Sequence, residues 1–192
     1  MKEGAPNDYM DCLRSVSKSF QQFTKFMLPV GFGARTIVAK GDGPACNLFA
    51  MSGDFMDPFV ENTNELLMCY EGTIKTVKLA LPVLFKSVLQ FVCDMAKQDM
   101  DGSKQIRNLK NYYVLTLLMA GMIDDFQDTL NEMLKAAHLP VSIIVIKLGK
   151  NNEENDSEKF IKKAFPAFKQ SERVFVDLLD FEKYKNEEDK HS

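Results

Sequence analysis

Few side chains in this sequence have the type and spacing that chemistry needs. Gly31-Phe32-Gly33 has the beginning of a phosphate-cradling loop, and Asp124-Asp125 places two carboxylates just past a turn. His138 and His191 are the only histidines, and Cys12, Cys46, Cys69 and Cys93 are the cysteines. The glycine pair lacks the third glycine and the following helix of a dinucleotide fingerprint. The cysteines are far apart, with no C-x-x-C spacing, and each lies in or beside an apolar segment. That is the pattern of reduced, buried thiols rather than of disulfides or zinc. His138 follows a helix and has no evident nucleophile beside it in sequence, so no Ser/His/Asp or Cys/His arrangement emerges. Asp124 and Asp125 read as caps supporting the N-terminus of the helix that follows them. On these grounds the chain is expected to be no enzyme, with no catalytic residue and no cofactor.

The elements that would position these residues centre on Tyr112 to Lys150. Tyr112 to Met119 is an almost unbroken apolar run ending at Ala120-Gly121. An amphipathic helix follows, with Phe126, Leu130, Met133, Leu134 and Ala137 at helical spacing. Leu139-Pro140 stops it, and Val141 to Leu148 is a β-branched run closed by Gly149. Strands apolar on both faces suit a parallel sheet covered by helices on each side, so this is a βαβ unit.

Before it, Asn7 or Asp8 caps a helix that carries Met10, Leu13, Val16, Phe20 and Phe23 on one face. Residues 28–39 read as a strand interrupted by glycines, 41–44 as a turn, and 47–51 as a short strand. Asp57-Pro58 reads as N-cap and first residue of a helix carrying Phe59, Val60, Leu67, Tyr70, Ile74 and Val77. Pro82 breaks that pattern before a further helix with Leu84, Val88, Phe91, Val92 and Met95. After Gly149 come a charged loop (150–158), a short helix with Phe160, Ile161 and Ala164, and a last strand from Arg173 to Leu179. The predicted order is that of an α/β fold, one domain over residues 6–182, with a charged, frayed tail over 183–192.

Composition agrees with that class. The chain has 192 residues, 45% hydrophobic and 27% charged, enough for one core. A net charge of −3 and a pI near 5.5 give no nucleic-acid-binding face and argue against constitutive attraction to anionic membranes. No apolar run approaches the ~20 residues of a membrane span, and there is no leader-like apolar segment. A cytoplasmic location is expected.

Several strings resemble the copine family. Leu28-Pro29-Val30-Gly31-Phe32-Gly33-Ala34 is similar to its F-P-x-x-G-F-G-A segment. Tyr112 to Gly121 is similar to Y-x-V-L-L-I-I-T-D-G, and Lys135 to Ile144 is similar to its A-x-x-L-P-x-S-I-I-I segment. Asp57-Pro58 falls at a family Asn-Pro, and Arg173-Val174-Phe175-Val176 at an R-D-I-V-Q-F-V strand. The likeness runs from about Pro6 to Phe181, and the domain it points to is the copine A domain, of the von Willebrand factor A type. It implies a doubly wound, mostly parallel sheet with helices on both faces and a metal-ion-dependent adhesion site at the strand ends. Such a site takes oxygen ligands from three loops and suits Mg²⁺ or Mn²⁺. Family members are intracellular and associate peripherally with the plasma membrane.

The same comparison implies that this site is lost. Only six residues precede Asn7, too few for the opening strand and its D-x-S-x-S turn. The second loop, L-x-G-P-T-x-F in copines, is Leu79 to Phe85 here, with Val83 at the threonine. The third loop, T-D-G, is Met119-Ala120-Gly121, with Ala120 at the aspartate. Apolar groups there make a divalent cation costly to desolvate, so no metal is expected. The candidate interaction face is then Met119, Met122, Ile123, Asp124 and Asp125, with the methionines and Ile123 as an adaptable apolar patch or as filling for the absent strand. The lost opening strand would lie between the strand around Val30–Ala39 and that of Tyr112–Met119. The gap would be met by direct pairing of its neighbours, by a donated strand and hence a dimer, or by residues missing from a fragment; direct pairing is the least demanding.

The function this implies is a non-enzymatic module binding a protein partner, with no direct membrane contact. Calcium-dependent phospholipid binding in the family belongs to separate domains, and copine-like ubiquitin ligases carry a C-terminal zinc module that is not seen here. A fragment of either kind of protein, or a decayed copy without a selected partner, is the alternative.

Overall fold

Asn7 accepts the backbone N–H of Tyr9 on its side-chain oxygen at 3.0 Å and so starts the first helix, α1 (Asp8–Phe20), in the computed structural model of the chain. The structure describes residues 7–38, 41–104, 111–121, 123–149, 173 and 175–185. These fall into two units, Met1–Leu84 and Phe85–Ser192, each described by itself below. The stretch 150–172, with its expected loop and short helix, lies outside the described residues, as do Met122 and the tail beyond 185.

In the first unit α1 ends three residues before Phe23. The chain turns at 21–23, where Gln21 N–H donates to Ser17 O and Thr24 N–H to Phe20 O, and Phe23 is left 78% exposed. Helical spacing alone had carried Phe23 onto the apolar face. Beyond the turn come β1 (Val30–Gly31), β2 (Ala34–Val38), β3 (Gly41–Cys46) and β4 (Phe49–Ala50). The expected single strand over 28–39 is therefore two, paired in different sheets: β1 runs antiparallel to β4, and β2 lies between β3 and a later strand, β5 (Val77–Leu79). The expected turn at 41–44 is strand β3, and its Pro44 is tolerable because β3 is an edge strand.

The glycines between β1 and β2 have packing reasons. A Cβ on Gly31 would stand 2.3 Å from the Phe49 ring, and Gly33 adopts φ +65 with Val83 methyls 3.1 Å from where its Cβ would be. They seat neighbouring side chains rather than cradle a phosphate.

The helix expected from Asp57 begins later, as α2 (Thr63–Thr76). Val60 is held instead in a bridge with Met27, through N–H···O bonds of 2.8 and 2.9 Å. Asn62 then caps the helix, accepting Glu65 N–H at 3.0 Å, while the Glu65 carboxylate reaches back to the N–H of Glu61 at 2.8 Å. This reciprocal pairing outcompetes the Asp-Pro signal. Val77, placed on the helix by its spacing, is β-branched and opens β5 opposite Thr36. Helices α1 and α2 meet through Ser17 Oγ and Thr63 Oγ1 at 3.0 Å and through stacked Tyr9 and Tyr70 rings.

The second unit contains α3 (Lys86–Lys104), β6 (Tyr113–Met119), α4 (Phe126–Ala136), β7 (Val141–Lys147), β8 (Val176–Asp180) and a helical turn, α5, over 181–185. Residues 183–185, expected to fray with the tail, are part of that turn. Strands β6, β7 and β8 form a parallel sheet in that order, with an unbroken register from Tyr113↔Val141 to Met119↔Lys147. The βαβ unit read from Tyr112–Lys150 is therefore present, and the fold is α/β. Leu117, Met119, Val141, Ile143, Val145 and Lys147 are buried together with Phe85, Val88 and Leu89 of α3 and its lead-in, and with Met133 of α4.

Arg173 closes the N-terminal end of this sheet. Its guanidinium donates to the carbonyls of Ala136, Ala137, Leu139 and Val141 and to the Tyr112 hydroxyl, capping the C-terminus of α4. The expected gap beside β2 is absent, because β3 and β5 fill both of its edges. Direct pairing with the strand at 113–119 is therefore not how β2 is satisfied. Among the described residues, β6 pairs with β7 alone.

Candidate functional site at the strand ends

In an open α/β sheet, ligands bind beyond the carboxyl ends of the strands, so in the second unit the ends of β6, β7 and β8 are of interest, and in the first the loop from Leu79 is, because the copine likeness falls on it. The two parts belong to different units and are taken separately.

The loop at 79–85 is fastened to the start of β2. Ala80 N–H donates to Gly33 O at 2.9 Å, and Asn47 Oδ1 accepts the N–H groups of Gly33 and Leu84 at 3.2 and 3.0 Å. Val83 is half-buried with its methyl groups against Gly33. Its side chain is a packing group and offers no oxygen.

At the end of β6, Ala120 and Gly121 are exposed, and the chain passes Ile123 and Asp124 to Asp125, at the start of α4. Asp125 does not cap α4, its own helix, with its side chain. Its carboxylate accepts the N–H of Phe85 at 3.0 Å and of Lys86 at 2.8 Å, which caps α3, and takes the Thr129 hydroxyl at 3.0 Å. Lys86 adds a 3.1 Å ion pair with Asp128. The capping role read from the sequence is right in kind for Asp125 and assigned to the wrong helix. Asp124 is exposed.

The apolar members of the expected interaction face do not form an accessible patch. Met119 is 4% and Ile123 7% exposed, so both are core side chains, and Met122 lies outside the described residues. The sequence expectation had offered core filling as the alternative, and burial selects it for Met119 and Ile123.

One feature of these strand ends was not singled out from the sequence. Met119, Lys147 and Asp180 stand in register at the ends of the three strands. Lys147 is 2% exposed, and its ammonium lies 3.9 Å from Asp180 Oδ2. Asp180 Oδ1 accepts the N–H groups of Glu182 and Lys183 and starts α5. The available signal was a lysine inside an otherwise apolar strand, VSIIVIK. An amine so buried needs its carboxylate close by.

Elsewhere the reactive groups are quiet. Burial, followed by the nearby Glu132 charge, pushes the Cys93 thiol up to about 11, away from the thiolate. None of the four cysteines is in a disulfide. His138 is exposed in the turn after α4. Among the described residues no three His, Cys, Asp or Glu side chains converge as metal ligands would, and no helix is long and apolar enough to cross a membrane.

The first unit exposes large apolar side chains that periodicity concealed. Phe23 and Phe26 from the loop after α1, with Phe55, Met56 and Phe59 from the loop before α2, are all exposed. The Phe26 and Phe59 rings meet edge to face at 6.2 Å. Phe23 and Phe59 had been placed on helices; both fall in loops.

The parallel βαβ unit and its terminal strand define an open-sheet α/β protein. Within that class the chain belongs to the copine family, whose family model, Copine, matches residues 1–192. It is similar to Protein BONZAI 2 of Arabidopsis thaliana, with 31% identity over 119 residues, 62% of this chain and 19% of that protein. It is also similar to Protein BONZAI 1 of the same plant, with 29% identity over 149 residues, 76% of this chain and 24% of that protein. The chain thus spans less than a quarter of the length of these curated relatives.

Proposed function

We propose that the chain acts as a non-enzymatic protein-interaction module of the copine A, von Willebrand factor A type, with contacts that do not pass through a metal ion. The observation that carries this reading is the use of Asp125. Where the copine likeness puts oxygen ligands, the chain has Val83 and Ala120, and Asp125, in the loop that follows Ala120, has both oxygens committed to backbone N–H groups at the start of α3. Metal-independent association then falls to apolar surface, and the exposed Phe26–Phe59 pair with Phe23, Phe55 and Met56 supplies it. The partner is a protein, with no nucleic acid or direct membrane contact. The free thiols suit a cytoplasmic setting.

The test is quantitative affinity capture with the full chain, in Mg²⁺ and in chelator, beside a Phe26→Asp/Phe59→Asp variant shown to be folded. The reading requires a saturable partner retained equally in both conditions and lost with the variant. Capture that needs Mg²⁺ contradicts the metal-free claim, and the absence of any saturable partner favours a decayed copy.

A further inference from the structure

A basic hollow interrupts an acidic chain. The sequence has 27 Asp and Glu against 24 Lys and Arg, yet a cavity of about 430 Å³ in the first unit is lined by Arg14, Lys18, Gln21, Asn62, Thr63 and Asn64. Among the described residues that line it none is acidic, and each has a polar head. Its size falls within the roughly 300–1,000 Å³ of small-molecule sites.

Two helices supply the walls. Arg14, Lys18 and Gln21 recur at i, i+4 and i+7, so they share a face of α1 and its C-cap. Asn62, Thr63 and Asn64 come from the start of α2. The hydrogen bond between Ser17 and Thr63, 3.0 Å long and with Ser17 1% exposed, ties the walls together.

What the hollow can hold follows from which groups are committed. The side chains of Lys18, Gln21 and Asn64 have no partner among the described residues. Arg14 gives one N–H to Asp11 at 3.1 Å, and the rest of its planar fork has no other partner among them. The α2 terminus is already capped by Asn62, and the Glu65 carboxylate is held by the N–H of Glu61 and the amide of Asn62. The attraction therefore comes from the two cations rather than from the helix end. A guanidinium beside an ammonium suits a phosphate dianion. Gln21, Thr63 and Asn64 both donate and accept, which suits hydroxyl groups rather than a hydrocarbon chain.

We propose that this cavity binds a small soluble phosphorylated polyol, of sugar-phosphate size. Its phosphate sits on Arg14 and Lys18, and its hydroxyls meet Gln21, Thr63 and Asn64. Only binding is assigned, with no bond made or broken. The net charge of −3 opposes approach to an anionic bilayer, which favours a soluble ester over a lipid headgroup. The site uses none of the residues of the protein-partner reading above and stands or falls separately from it.

The test is titration of the isotope-labelled full chain with glucose 6-phosphate, inorganic phosphate and glucose, read by amide chemical shifts. Glucose 6-phosphate is expected to give saturable shifts at Lys18, Gln21, Thr63 and Asn64, with phosphate weaker and glucose without effect. Loss of each cation weakens binding about tenfold, so Arg14→Gln/Lys18→Gln should bind about a hundredfold more weakly. Only the solvent-exposed pair with Asp11 is lost in that variant, so it keeps its fold, as its amide spectrum checks. Should it unfold, Lys18→Gln alone, at an exposed site, serves the same comparison. No saturable shift with glucose 6-phosphate overturns the proposal, and so does undiminished binding by the folded variant. Equal affinity for phosphate and glucose 6-phosphate leaves an adventitious ion only and removes the polyol. Binding to phosphatidic-acid vesicles without binding to the soluble ester defeats the proposal as well.

Discussion

The carboxylate of Asp125 accepts the backbone N–H of Lys86 at 2.8 Å, so a residue at the threshold of α4 caps the N-terminus of α3. The second oxygen takes Phe85 N–H and the Thr129 hydroxyl. One side chain thereby fixes the start of α3, the start of α4 and the loop descending from β6. It also makes this acid a structural group rather than a ligand in waiting.

Asp125→Ala is therefore expected to cost about 1–3 kcal/mol, because it orphans two helix N–H groups at once. In a chain of this size that lowers the melting temperature by about 2–4 °C per kcal/mol. Asp124→Ala, at an exposed site one residue away, should stay within about 0.5 kcal/mol of wild type. Thermal denaturation followed by circular dichroism compares them. Equal stability of the two variants would remove the cap from the account.

Gly33 supports a second prediction. Its φ of +65 disfavours any side chain, and an added Cβ would meet Val83 at 3.1 Å. Gly33→Ala should lose about 1–2 kcal/mol from the backbone alone, with more from the contact. Combining it with Val83→Ala recovers only the contact part, since shaving Val83 cannot change φ. A double-mutant cycle in urea separates the two. Full recovery would mean that the backbone strain is absent.

Legibility in the sequence followed the range of the forces involved. The β6–α4–β7 unit was readable because two apolar runs and one helical stripe carry strong local periodicity. Phe23, Phe59 and Val77 were misplaced because spacing continued past the true helix boundaries. Those boundaries were set by the turn at 21–23, the Met27–Val60 bridge and the pairing of β5 with β2. Residues 41–44 have a turn composition, yet pairing with β2 makes them an edge strand. The backbone N–H groups that Asp125 caps lie about forty residues upstream, beyond any local signal. That the side chains at Val83 and Ala120 carry no oxygen could be read by position alone, whereas the burial of Met119 and Ile123 could not.

The alkaline limb of stability gives a third prediction. Burial first, and then Glu132, raises the Cys93 thiol to about 11 from an ordinary 9.0. Burial and a hydrogen bond to Asp99 raise the Tyr113 hydroxyl to about 12 from 10.0. Both groups bind their protons more tightly in the folded chain. Their contributions are whole below about pH 9 and are lost as pH rises through the folded values, so stability falls with pH in that window. Urea midpoints across pH 8–11 report the slope, and Cys93→Ser should flatten its thiol share. A stability that rises over this range would contradict the assignment. Native-state alkylation at pH 8 should likewise reach the half-buried Cys46 and Cys69 before Cys93.

The pair of Lys147 and Asp180 yields the fourth. A buried ion pair offsets its desolvation cost poorly, so replacing the lysine by an apolar side chain of similar length removes a costly charge from the core. Lys147→Met is expected to be neutral or stabilising. Asp180 lies nearer to water and retains the N–H groups of Glu182 and Lys183 when the lysine is gone. The reverse change is harsher: Asp180→Ala takes away the carboxylate paired with an ammonium that is 2% exposed and uncaps α5, and a loss of about 3–5 kcal/mol follows. Asp180→Asn keeps an oxygen for the α5 cap and removes only the charge, so its loss should fall between the other two. The ordering Lys147→Met, Asp180→Asn, Asp180→Ala in equilibrium urea denaturation is the measurement. If Lys147→Met is the most damaging of the three, the ammonium contributes to the fold through contacts other than Asp180, and the ion pair is not what secures these strand ends.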